Sequence, residues 1–385
     1  MPRSWVNANM ELMPHLRKPF SVTSPTAMVP VEFDRTMQDK GQTMNGAINE
    51  GVGHAWIRER IARVPRVRLA LTPTPLHAAP NLTRALGGPR ILIKRDDLTG
   101  VAFGGNKLRN LEFRLARTMA EQPDTVIVGL DLQSNSARQT IGACNKLGLS
   151  TILVLQGERP GIVQGNLLVD YLLGAEVVFA PTREAQRAAL DEHARRVRDA
   201  GGRPHILNDN PMFDVASALA YLETTLELLE QMAAEGAQPT ALYMSSSGKG
   251  QAGLVLGKRL TNAGHAVHGI TATDEFHVPS RTAAIANETL AVLGLDTRVG
   301  EDEIQNDPGF VGAGYGIPTE ACVEAVKLFA RCEGVILDPI YTGKAAAGMI
   351  SHIREGRYGK HDVLVFVHTG GTPAIFTWNT RFHPA

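Results

Sequence analysis

Four short polar stretches of this 385-residue chain carry residue types that can do covalent and acid–base chemistry. The first is Gly104-Gly105-Asn106-Lys107, which closes the run Arg95-Asp96-Asp97-Leu98-Thr99-Gly100-Val101-Ala102-Phe103. A lysine that opens a helix faces unpaired N–H groups whose partial positive charge opposes its own, so Lys107 is poorly placed as a helix stabiliser. It reads either as a solvated side chain after a glycine turn or as an amine held for attack on a cofactor carbonyl. The second stretch, Gln133-Ser134-Asn135-Ser136, has the residue types of a helix N-cap and those of a polar active-site wall. The third, Ser245-Ser246-Ser247-Gly248-Lys249-Gly250, follows a strand and runs into a helix. Its small residues let backbone N–H groups converge on an anion such as a phosphate, and the alternative is a flexible loop. It matches neither GxxxxGK[ST] nor GxGxxG, which argues against a P-loop and a dinucleotide site. The fourth, His368-Thr369-Gly370-Gly371-Thr372-Pro373, lets Thr369 offer a hydroxyl to a ring nitrogen or close a local turn.

The elements that must position these stretches follow from periodicity. A strand over Arg90–Lys94 leads into the first, and Leu108, Leu111, Glu112, Leu115 and Met119 recur at helical spacing after it. Further strands are predicted at Thr125–Leu130, Thr151–Leu155, Glu176–Phe179, Ala241–Met244, His268–Ala272 and Val363–Val367. Helices are predicted over 55–66, 81–86, 137–147, 165–173, 182–200 and 214–235. Leu71 to Leu76 reads as an extended, proline-stiffened segment. The alternation predicts an α/β fold of two lobes, with parallel sheets flanked by helices. The expected division is an N-terminal extension over 1–55, a small domain over 110–215, and a large domain built from 56–109 plus 216–385. In such sheets ligands bind beyond the carboxyl ends of strands, where the polar stretches fall.

Composition narrows the function classes. Acidic and basic residues balance at 39 each, so no electrostatic argument favours nucleic acid or an anionic membrane. No apolar run approaches the roughly 18 residues that span a bilayer. The three cysteines, Cys144, Cys322 and Cys332, form no metal-ligand spacing; an odd, sparse set fits a reducing cytoplasm. No metal site is expected, and the N-terminus has no basic-then-apolar signal pattern.

The order of the four stretches resembles the pyridoxal-5′-phosphate (PLP)-dependent fold type II family, whose fold is tryptophan synthase β-like. The likeness rests also on RDDLTG (95–100), GGNKLRNLEF (104–113), QSNSARQT (133–140), GYGIPTE (314–320), DPIYTGKAAAGM (338–349) and HTGG (368–371). It runs from about Arg66 to Phe376. Within the family the chain is most similar to the D-cysteine desulfhydrase and 1-aminocyclopropane-1-carboxylate (ACC) deaminase group, with L-cysteate sulfo-lyase close by. The resemblance implies PLP as cofactor, a small amino-acid substrate and a homodimer. It implies that Lys107 attaches the cofactor and shuttles the substrate's Cα proton. Ser134 then lies beside the substrate, and Asn135 bonds the cofactor's 3′-oxygen. Ser245, Ser246, Ser247, Gly248, Lys249 and Gly250 form the phosphate loop. Tyr341 packs on the ring, Tyr315 is an acid–base candidate, and Thr369 faces the ring nitrogen.

Departures from the family pattern bear on the substrate. ACC deaminases resemble YEGK where this chain has Tyr341-Thr342-Gly343-Lys344, and the missing carboxylate argues against opening a cyclopropane, which needs a strong electron sink. Where the family has SGGTQAG, this chain has Ser247-Gly248-Lys249-Gly250-Gln251-Ala252-Gly253. Lys249 is expected to replace the lost threonine hydroxyl at the phosphate, or else to face solvent or the substrate. Asp131, just before Gln133, is either a substrate-recognising acid or a solvated carboxylate. The expected activity is β-elimination giving a 2-oxo acid and ammonia. ACC-type ring opening, β-replacement, epimerisation and a non-catalytic binding role stand as alternatives.

Overall fold

The structure is a computed structural model that describes residues 52–382 apart from Pro211. The extension expected at the N-terminus therefore lies outside the described residues up to position 51. Val52 is already packed in place, its N–H donating to the Leu260 carbonyl at 2.6 Å. The chain runs α1 (His54–Ala62), β1 (Leu76–Ala78), α2 (Pro80–Leu86), β2 (Arg90–Lys94), α3 (Lys107–Ala120) and β3 (Thr125–Asp131). It continues through α4 (Asn135–Lys146), β4 (Ser150–Gln156), α5 (Gly165–Leu172), β5 (Glu176–Ala180), α6 (Arg183–Asp199), β6 (Pro204–Ile206) and α7 (Val215–Ala234). The remainder is β7 (Ala241–Ser246), α8 (Lys249–Thr261), β8 (Ala266–Thr271), α9 (Val278–Val292), β9 (Asn306–Asp307), α10 (Glu320–Glu333), α11 (Thr342–Arg354), β10 (Val363–Val367) and a 3-10 segment over Thr372–Arg381.

Two sheets result. One is six-stranded, in the order β1-β2-β10-β7-β8-β9, and the other four-stranded, in the order β5-β4-β3-β6. Every pairing is parallel except β1 with β2, where Leu76 faces Lys94. The strands of the smaller sheet all fall between residues 125 and 206. Parallel strands covered on both faces need continuous apolar runs, and β3, β4 and β10 have them. Local signals set the ends: Pro80 opens α2 and Gly87 closes it in the left-handed region, while the Thr182 hydroxyl caps α6.

Sequence periodicity missed several elements. The first helix stops at Ala62 instead of reaching Pro65. The strands β1, β6 and β9 span three residues or fewer, too short for alternation to register. Helix α11 is buried on nearly all sides, so it has no polar stripe to set off an apolar one.

Two arrangements position the site. The first is a buried charge network around α3. The Arg109 guanidinium donates to Asp96 at 2.9 Å, to Glu227 of α7 at 2.7 Å and to the Thr74 hydroxyl at 3.0 Å. Lys94 of β2 lies 3.5 Å from Glu227 and donates to the Thr74 carbonyl and to Gln231. Two cations thus meet two carboxylates away from solvent. Burial alone would lower the Arg109 pKa, but Asp96 and Glu227 outweigh it and raise it. The second arrangement is the tether of the segment before α10. The buried Lys344 ammonium of α11 donates to the Val311 carbonyl at 2.7 Å and to the Gly314 carbonyl at 3.1 Å.

Replacing Arg109 by Met leaves two buried carboxylates facing one lysine. The expected loss is about 3–5 kcal/mol of unfolding free energy in a denaturant titration, and a loss under about 1 kcal/mol would show the network to be dispensable. Lys344→Met removes both donors from the 311–314 turn. Limited proteolysis is expected to cut this variant between residues 308 and 319 faster than the parent, and an unchanged cleavage pattern would refute the tether.

Candidate active site

The loop from Arg95 to Asn106 is pressed into one shape before α3 begins. Gly104 has φ 64°, and a Cβ there would lie 2.1 Å from the Asp97 carbonyl oxygen, so only glycine fits. The Thr99 hydroxyl accepts from the Gly105 N–H at 2.8 Å, and Arg138 donates to the Ala102 and Gly104 carbonyls. Asn106 donates its N–H to the Thr369 carbonyl at 3.0 Å, which joins this loop to the one after β10. Lys107 is then the first residue of α3, whose N-terminus is satisfied by the Gln139 side chain accepting from the Leu108 N–H at 3.0 Å. Burial, with Arg114 adding to it, pushes the Lys107 ammonium below the ordinary lysine value. A larger fraction is therefore the neutral, nucleophilic amine.

A cavity of about 310 Å³ opens at the carboxyl ends of β3, β7, β8 and β10, and Lys107 lies in its wall. Ser134 and Asn135 join it from the start of α4, Ser245 and Ser247 from the end of β7, and Lys249 and Gly250 from the start of α8. Tyr315, Tyr341 and Thr369 complete the set of sequence-predicted residues that reach it. Ser246 and Gly248 do not line it. The Ser246 hydroxyl turns inward, donating to Gln251 at 2.6 Å and accepting from the Gly248 N–H at 3.1 Å. Gly248 is the N-cap of α8, with φ 101°.

The Ser-Asn turn both caps a helix and borders the cavity. Ser134 is the N-cap of α4, accepting from the Ser136 N–H at 3.1 Å, and its side chain also borders the cavity. Asn135 is held by Asn166, which donates to its side-chain oxygen at 2.9 Å. Tyr315 and Tyr341 meet through their hydroxyls, with ring centroids 6.0 Å apart. Burial raises both phenol pKa values, well above the ordinary value for Tyr341, and both stay protonated at neutral pH.

Asp338 was not anticipated as an organiser. Its carboxylate accepts from the backbone N–H groups of Ile340, Tyr341 and Thr342 at 2.8–2.9 Å and from the Thr342 hydroxyl at 2.6 Å. Position 342 therefore points into this cap, buried, and not into the cavity. An aspartate three residues before Tyr341, at the entry to a helix, is the capping signal that could have revealed it. Asp131 lines the cavity at the end of β3, as do Tyr221 and Ser217 of α7 and Arg281 of α9. Lys249 is not free: its ammonium lies 2.6 Å from Asp214 and 3.7 Å above the Phe213 ring. Among the described residues no group of His, Cys, Asp or Glu is placed to hold a metal, and no helix is long and apolar enough to cross a membrane.

Comparison with known proteins agrees with this geometry. The profile of the family described as pyridoxal-phosphate dependent enzyme matches residues 67–370. D-cysteine desulfhydrase of Salmonella paratyphi C (strain RKS4594) is 35% identical over 329 residues, covering 83% of this chain and 98% of that protein. The D-cysteine desulfhydrase of Klebsiella pneumoniae (strain 342) is 35% identical over 333 residues with the same coverage. The crystal structure of an ACC deaminase homologue superposes with a TM-score of 0.75 at 30% identity, over 86% of this chain and 98% of that one. Threonine deaminase isoform 2 of Solanum lycopersicum, at 18% identity and a TM-score of 0.55 over 91% of this chain and 94% of that one, shares the fold. The match to the family over most of the chain and the lysine-bearing cavity agree: the chain belongs to the pyridoxal-phosphate-dependent enzymes of fold type II.

Proposed function

We propose that the chain is a PLP-dependent lyase that expels a β-substituent from a small amino acid and releases a 2-oxo acid and ammonia, in the manner of D-cysteine desulfhydrase. The observation that carries this reading is the convergence of Lys107, the Tyr315–Tyr341 pair and Thr369 on one cavity. The residues present fit the cofactor: an amine depressed toward neutrality for its aldehyde, and a glycine-capped helix start with Ser245 and Ser247 for its phosphate. Bound PLP supplies an electrophilic carbonyl and a ring that draws electron density from the substrate's Cα.

The chain's own residues then divide the work. Lys107 holds the cofactor and afterwards carries the Cα proton. Ser134 faces the substrate carboxylate, and Asn135 takes the 3′-oxygen. Tyr341 packs on the ring, and Tyr315 donates a proton to the departing group. Its raised pKa keeps that proton available. Thr369 would give the ring nitrogen a neutral partner, and a nitrogen so paired would stay largely unprotonated and make a weak electron sink. A weak sink favours substrates with a good leaving group on Cβ over ring opening. The catalytic lobes would be 56–109 plus 216–385 and 110–215. A cytoplasmic homodimer goes with this reading. The cysteines are free, and exposed Leu168 and Leu172 of α5, with Phe376 of the 3-10 segment packed against it, are apolar surface that a second copy would cover.

The test is a panel containing both cysteine enantiomers, cysteate, 3-chloroalanine and ACC, scored for pyruvate, 2-oxobutyrate, sulfide and ammonia. Pyruvate from at least one β-substituted amino acid is expected, while 2-oxobutyrate from ACC alone would replace this reading with ring opening. Lys107→Ala is expected to abolish turnover. Borohydride reduction of the yellow parent protein should leave the pyridoxyl group on the Lys107 peptide, and an adduct on Lys249 or Lys344 would overturn the assignment. Thr369→Glu is expected to strengthen the electron sink and move product from pyruvate toward racemised or transaminated amino acid. An unchanged product spectrum with cofactor still bound would count against Thr369 at the ring nitrogen.

A further inference from the structure

The start of α8 is built differently from a loop that holds an anion with hydroxyls and backbone alone. At position 250 a side chain would be crowded. A Cβ there would lie 2.8 Å from Met244 Cε and 3.2 Å from Cδ2 of Tyr221, whose ring is buried against the loop. The Ser246 hydroxyl is already engaged with Gln251. In their place stand two cations. Lys249 is the first residue of α8, and Arg281 lies across the α8 N-cap, with its Cγ 3.3 Å from where a Gly248 Cβ would be. Both line the cavity, and both rest on one carboxylate that does not line it. Asp214 takes the Lys249 ammonium at 2.6 Å on one oxygen and the Arg281 guanidinium at 3.1 Å on the other.

We propose that Lys249 and Arg281, seated side by side on Asp214, form a two-cation seat for the cofactor's phosphate. The inference rests on the PLP-binding reading of the cavity and specifies which of its residues carry the charge. Two cations against one carboxylate leave one positive charge in excess, beside a helix N-terminus that adds to it. Each cation keeps N–H donors beyond the one given to Asp214. Aromatic rings support both charged groups: Phe213 lies under the Lys249 ammonium at 3.7 Å and Phe276 under the Arg281 guanidinium at 4.5 Å. Burial pushes the Lys249 ammonium down to about 8 even though Asp214 works to raise it, so its charge is under-compensated and an arriving anion would stabilise it. Asp214 is thus a positioning residue: it aims both cations without touching the anion.

The experiment compares PLP with pyridoxal, which lacks the phosphate, by spectroscopic titration of the apoenzyme. Lys249→Met and Arg281→Met are each expected to weaken PLP binding roughly ten- to hundredfold. Pyridoxal binding should stay as in the parent, and inorganic phosphate should compete with PLP in the parent more strongly than in either variant. Lys249→Arg, which keeps the charge, should restore most of the PLP affinity. Equal losses for PLP and pyridoxal would overturn the inference by showing general damage to the loop. Unchanged PLP binding with a raised substrate KM would overturn it by assigning the cations to the substrate. If the parent apoenzyme attaches neither compound to Lys107, the reading of the cavity itself falls; if it attaches both equally well, only the two-cation seat does.

Discussion

The placement of Lys107 in the cavity wall depends on one buried interaction, the Arg109 guanidinium held between Asp96 and Glu227. Arg109 stands two residues into α3 from Lys107, Asp96 stands in the loop that leads to it, and Glu227 stands on α7. The three join elements of distant sequence at the root of the site. Charges removed from water are tolerable only when partnered, and here the second cation, Lys94, balances the second carboxylate. A parallel sheet with its covering helices can form without this network. The network decides where α3 starts, and so where an amine at its first residue must lie.

Much of this was legible in the chain because βα units write themselves in continuous apolar runs separated by polar turns, as at Thr125–Leu130 and Val363–Val367. The polar stretches at strand ends could be found for the same reason, and eight of the site residues named from them border one cavity, together with Tyr315 and Tyr341 from the family motifs. Ser246 and Gly248 do not line it, and the backbone gives the reason: Gly248 is the cap of α8. Strand β7 continues to Ser246, and alternation along an extended chain turns Ser245 and Ser247 to one side and Ser246 to the other. Tyr221, Ser217 and Arg281 stayed hidden for another reason. They sit on or beside helices whose composition reads as core or as solvated surface, and only folding brings them to the cavity.

Burial acts on the site's titratable groups in opposite directions with one chemical result. It lowers Lys107 and raises Tyr315 and Tyr341, and in both cases the uncharged form gains. Two cations of the cavity wall, Lys249 and Arg281, are instead anchored on Asp214. Enclosure biases the lysine and the two tyrosines toward their neutral forms, and explicit ion pairing holds Lys249 and Arg281.

The contact of Tyr221 with Gly250 has a consequence for the history open to this chain. A threonine introduced at 250 while Tyr221 is present meets the aromatic ring and the Met244 methyl at once. A smaller residue at 221 without the threonine leaves a cavity behind the loop, and each change alone is costly in a packed interior. The two positions can change cheaply only together, or in an order that passes through a weakened protein. The glycine in this loop is therefore favoured by a residue 29 positions earlier on another helix. Descendants of this chain would be expected to keep or lose the two as a pair, a linkage that sequence comparison among its near relatives can read without any assay.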